Sequence, residues 1–204
     1  MKYKLAAFFA LIGWFAIITQ YILMIETRET TILETTIKFF SFFTILTNSL
    51  VAIYFTCIVI YKNKMLVLIA KPGTLTALTV YILIVGLVYQ FALRHLWNPT
   101  GLQRVVDELL HSVIPILVLI FWYLYETKQS IKYLQISKWM IYPLIYLFYT
   151  LIRGNLSNNY PYPFVNVTKL GINNVLINSG FLLAIFILMS ALIVFIGKMI
   201  IKRN

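Results

Sequence analysis

Charge is scarce in this chain. Only 11% of its 204 residues are charged, six of them acidic, against 61% hydrophobic. That ratio excludes an ordinary soluble domain. No polar stretch is long enough to fold as a separate soluble domain. Cysteine is nearly absent: Cys57 stands alone in an apolar segment, so disulfides and cysteine-rich metal sites are excluded. Cys57 is expected to be a small buried apolar side chain. There are two histidines, His95 and His111, and no further ligands at metal-binding spacing, so no metal and no cofactor is expected. No small-residue cleavage site follows the first apolar run before Glu26, and that run is expected to stay as a span. The net charge of +11 sits in residues flanking apolar runs and forms no long basic tract, which argues against a nucleic-acid partner.

What the chain has is apolar runs. They cover about 5–25, 39–61, 74–93, 109–125, 136–152 and 175–201. The fifth is short against the roughly 20 residues a span needs, and 133–136 is a candidate extension. Helices are expected because each closes its own backbone hydrogen bonds in lipid. The expected fold is all-α: a polytopic membrane protein, one six-helix transmembrane bundle over 1–204. The connection 26–38 is polar, and 66–70 in the basic connection 62–71 is expected on the membrane surface.

With six spans both termini share a side. Eleven of the 17 basic residues fall there and six on the other, which places both termini in the cytoplasm. Thr44, six residues past Lys38, and His111, four past Asp107, then lie at one depth, roughly 6–9 Å inside the outer boundary at 1.5 Å per residue.

Two segments carry polar groups into apolar runs. Asp107, His111 and Pro115 are spaced by four and share a helical face. An ionisable group inside a span is a functional-site hypothesis by default. Thr44, Thr47 and Asn48 form a polar stripe at the start of the second run. The plain alternative for both is helix packing by interhelical hydrogen bonds. The chemical alternative makes a threonine the nucleophile and His111 its base, with Asn48 stabilising an oxyanion. Asp107 either orients His111 or, as preferred for Glu108, complements a helix N-terminus. His95, beside Arg94 and Trp97, fits an interfacial surface role, and pairing it with His111 around haem or quinone is a weaker reading. Arg153, Tyr160 and Tyr162 read either as an aromatic belt or as a lid, with Arg153 drawing an anionic head group.

These segments come in order: Phe42-Phe43-Thr44-Ile45-Leu46-Thr47-Asn48, Asp107 to Pro115, Tyr142-Pro143, Arg153-Gly154 and Tyr160-Pro161-Tyr162-Pro163-Phe164. Together they resemble the bacterial Pr6Pr family of six-span membrane proteins over nearly the whole chain. More distantly, through Phe-x-Thr at Thr44 and His-x-x-x-Pro at His111, the chain is similar to the eukaryotic androgen-induced and androgen-dependent TFPI-regulating proteins. Those are membrane-embedded threonine hydrolases of fatty acid esters of hydroxy fatty acids. The resemblance implies Thr44 as nucleophile, with Thr47 as rival, His111 as base, a membrane lipid or fatty acyl ester as partner and a bacterial plasma membrane as location. A lipid-binding or transport protein with an outward polar cavity is the alternative. No repeat relates the two halves, which lowers the transporter version.

Overall fold

A computed structural model describes residues 1–61 and 71–203; the expected surface segment 66–70 lies outside the described residues. All regular structure among the described residues is helical. The chain divides into two compact units, Met1–Ser130 and Ile131–Asn204.

In the first unit, α1 (Lys2–Glu26) packs along α3 (Phe43–Tyr61). The contact uses small residues: Ala6, Ala10, Gly13 and Ala16 are buried on α1, and a Cβ on Gly13 would stand 3.1 Å from the Cβ of Ala52. The large residues Phe8, Leu11, Phe15, Ile18 and Ile22 point outward. Small residues inward and bulky apolar ones outward is the arrangement of helices that pack in lipid. Trp14 Nε1 donates to Thr56 Oγ1 across the same pair.

The expected polar connection 26–38 is partly ordered as a helix, α2 (Ile32–Phe39). Thr31 caps it by accepting from the Glu34 amide, which closes a helix separate from α3. The second run therefore starts at Phe43, not at residue 39, and Thr44 lies in its first turn.

Helix α4 (Thr74–Val88) continues through a π turn, Tyr89–Leu93, into a 3₁₀ turn, Arg94–Leu96. Helix α5 (Gly101–Glu108) runs through a second π turn, Leu109–Val113, into α6 (Ile114–Tyr125). The fourth run thus begins near Gly101, eight residues before the expected boundary. Glu108 lies at the end of α5, so its expected dipole role at a helix N-terminus is overturned.

The far ends of α4 and α6 are tied together. Glu126 accepts from the Thr76 amide and hydroxyl, and Trp122 Nε1 donates to Thr76 Oγ1 at 2.9 Å. Lys128 donates to the carbonyls of Trp122 and Tyr123 at the end of α6. A carboxylate thus faces one helix N-terminus and an ammonium the neighbouring C-terminus, both in the sense the helix dipole favours.

In the second unit α7 (Ile136–Trp139) breaks at Met140 before α8 (Ile141–Ser157). The fifth run therefore starts five residues later than expected and continues past residue 152 to Ser157. Tyr133–Gln135 forms a 3₁₀ turn that precedes α7 and does not lengthen α8. After α9 (Val167–Leu170), the long α10 (Ile172–Arg203) closes the chain.

Among the described residues, five helical stretches are long and apolar enough to cross a membrane: Lys2–Glu26, Phe43–Tyr61, Thr74–Leu96, Gly101–Tyr125 and Ile172–Lys202. Helix α8, with 17 residues, is shorter. It exposes Ile141, Ile145, Phe148, Ile152 and Leu156 and buries Thr150 and Gly154. Cys57, expected to be buried, is half-buried.

Candidate functional site

The two π turns of the first unit bring its polar residues together. A π turn widens the helix by one residue and leaves local carbonyls without their usual partners, and such turns often mark functional sites. The Ile114 amide reaches back to the Leu109 carbonyl, five residues earlier. The next bond in that register would run from residue 115 to Leu110, but Pro115 has no N–H. Asn48 fills the gap: its Nδ2 donates to Leu110 O at 3.3 Å and to Thr44 O at 2.9 Å. On the other side a Cβ at Gly86 would come within 2.9 Å of the His111 carbonyl, so only glycine lets α4 approach this turn unshifted.

His111 is thereby held with both ring nitrogens directed. Nδ1 lies 2.9 Å from the Asp107 carbonyl and 3.3 Å from its carboxylate Oδ1. Both neighbours are acceptors, so in the neutral ring Nδ1 carries the proton and Nε2 presents its lone pair. Nε2 faces the Thr44 hydroxyl at 3.4 Å. This is long for a hydrogen bond, as catalytic contacts often are before substrate tightens them. Thr44 is buried, and the His111 side chain is 12% exposed.

Asp107 is 4% exposed and its second oxygen, Oδ2, accepts from the Tyr89 hydroxyl. The Tyr89 ring stacks on the imidazole, centroids 4.1 Å apart and 15° from parallel. Tyr89 thus fixes the carboxylate with its hydroxyl and the ring plane with its face. Of the two roles open for Asp107, the geometry fits orientation of His111. Glu108 instead pairs with Arg94 and accepts from Ser112 Oγ at 2.6 Å, while Gln90 donates to the same hydroxyl at 2.8 Å. This closed network covers the turn next to His111.

Thr44, Asn48, Asp107 and His111 are brought together as the sequence suggests. Thr47 is fully buried, and the hydroxyl opposite the imidazole is that of Thr44. The oxyanion role expected of Asn48 does not fit its geometry. Its donor is committed to two backbone carbonyls, and its remaining buried atom, Oδ1, is an acceptor. Thr44 itself sits in the first turn of α3, at the positive end of that helix's dipole. His95 is exposed in the 3₁₀ turn, and no group of three metal-ligating side chains occurs among the described residues.

Arg153, Tyr160 and Tyr162 belong to the second unit. Arg153 Nη1 donates to the Asn159 carbonyl at 3.0 Å. The Tyr160 ring lies on Gly154, where any Cβ would overlap it. Tyr162 stacks on Phe164 at 5.2 Å.

Tyr89 was not marked by the sequence, because it stands in a mainly apolar run. The available signal was its hydroxyl, which needs a partner when buried. Compared with known proteins, the chain matches no family model, no curated protein and no solved structure.

Proposed function

We propose that this chain is a six-span membrane protein with both termini in the cytoplasm, and that it hydrolyses a lipid acyl ester through Thr44 and His111. The observation that carries the reading is the ordered series Tyr89, Asp107, His111, Thr44, in which a buried carboxylate sets the imidazole tautomer and the free nitrogen faces a hydroxyl. The resemblance to the Pr6Pr family, and through it to the threonine hydrolases, points to the same two residues.

In this mechanism the Thr44 oxygen attacks the acyl carbon as His111 Nε2 takes its proton. The imidazolium is stabilised by Asp107 and then protonates the departing alcohol. Water, deprotonated by His111, cleaves the acyl-threonine, releases the fatty acid and restores the Thr44 hydroxyl. The negative charge developing beside Thr44 lies in the first turn of α3, where the helix dipole favours it.

A second reading, a lipid-binding protein that breaks no bond, is favoured by one observation: the Asn48 donor is already engaged and does not serve an oxyanion. Purified wild type, Thr44→Ala and His111→Ala, assayed on a panel of acyl esters, separate the two. The hydrolase reading expects no turnover from Thr44→Ala and a loss of about 10²–10⁴-fold in His111→Ala. Equal rates in all three proteins would remove it.

A further inference from the structure

The second unit has no acid of its own. Residues 131–204 carry Lys132, Lys138, Arg153, Lys169, Lys198, Lys202 and Arg203 and no Asp or Glu. Arg153 lies inside α8, half-buried, with Nε shut away from solvent and meeting no acceptor. A guanidinium edge withdrawn from water without an anion is costly. Three residues earlier, so on the same face of α8 and about 5–6 Å away between Cβ atoms, the Thr150 hydroxyl is also buried and without a partner, in a residue 1% exposed. Gly154, next on that face, is bare so that the Tyr160 ring can lie against it.

We propose that Arg153 and Thr150, beside Tyr160, form an oxyanion site of the second unit that takes the phosphate of an anionic lipid. The Asn159 carbonyl fixes Nη1 and with it the guanidinium plane, leaving the Nε–Nη2 edge for a bidentate contact. Thr150 adds a third donor. Three donors on two side chains one helical turn apart suit the oxygens of a phosphate better than the two oxygens of a carboxylate. The same helix presents Ile145, Phe148 and Ile152 outward, an apolar face along which acyl chains pack. Binding at Arg153 is read independently of the Thr44–His111 chemistry, because the lipid titrated carries no acyl ester to cleave.

The test uses the full chain in neutral detergent, titrated with ether-linked dihexyl phosphatidic acid, inorganic phosphate and hexanoate, with binding followed calorimetrically. Saturable binding of phosphatidic acid is expected, weakened at least about tenfold in Arg153→Gln and in Thr150→Val, with Arg153→Lys also weakened because the fork is lost. Should Arg153→Gln not fold, Arg153→Lys and Thr150→Val decide. Inorganic phosphate binding as tightly as the lipid would overturn the lipid source. Hexanoate binding more tightly would overturn the phosphate, and unchanged affinity in the variants would overturn the site.

Discussion

Asn48→Leu tests the account of the π turn at Leu109–Val113. The substitution keeps the number of side-chain heavy atoms and removes the donor that serves the Leu110 carbonyl. That residue is 2% exposed, and Pro115 withholds the backbone N–H that would otherwise complete the register. A stranded buried carbonyl costs about 1–3 kcal/mol. Removing the unpartnered Asn48 Oδ1 returns part of that, and the Thr44 carbonyl keeps its place inside α3, so a net loss of about 1–2 kcal/mol is expected. The decisive comparison is made in Pro115→Ala. Alanine supplies the missing N–H, and Asn48→Leu should then cost less, with a coupling of about 1 kcal/mol. Reversible unfolding in mixed micelles, measured for wild type, both single variants and the double variant, gives the cycle. Costs that add to within about 0.5 kcal/mol would refute the claim that Asn48 stands in for the proline's absent donor.

Two further outcomes follow at the other end of the same helices. Thr76→Val strands Trp122 Nε1 and takes one donor from Glu126, and should lower unfolding stability by about 1–3 kcal/mol; a neutral result in the same assay would contradict the tie between α4 and α6. Burial holds the Lys128 ammonium below the usual lysine range, against the opposing pull of the Glu126 carboxylate. The unfolded chain therefore keeps a proton that the folded chain has lost, and stability should rise with pH up to the ordinary lysine pKa of about 10.4. Lys128→Met should flatten that rise, and an identical profile in wild type and variant would refute the assignment.

The apolar runs made the helices legible, because a span's length and hydropathy are set by bilayer thickness. Their ends were not. The Thr31 cap turns part of a polar connection into α2 and moves the start of α3 to Phe43. Gly101 starts a helix that carries polar residues before the apolar run, which moved Glu108 away from any N-terminus. At the site, Thr44 and His111 were matched by counting from residues 38 and 107, yet the helices begin at Phe43 and Gly101, one residue before Thr44 and ten before His111, so their meeting is not explained by equal counts. Tyr89 could not be matched, since a tyrosine in an apolar run is indistinguishable from core until its hydroxyl is seen on Asp107. The π turns were equally hidden: a one-residue widening leaves no mark on hydrophobic periodicity. Pro115 hinted at one of them, and the need for a substitute donor connects it to Asn48.

The claim at the centre is that His111 activates the Thr44 hydroxyl. It is tested most directly by treating the purified protein with a lipid-tailed fluorophosphonate and mapping the adduct by mass spectrometry. The account predicts one adduct, on Thr44, formed by wild type and lost in His111→Gln. Labelling elsewhere, or labelling of Thr44 that persists without the imidazole, would contradict it.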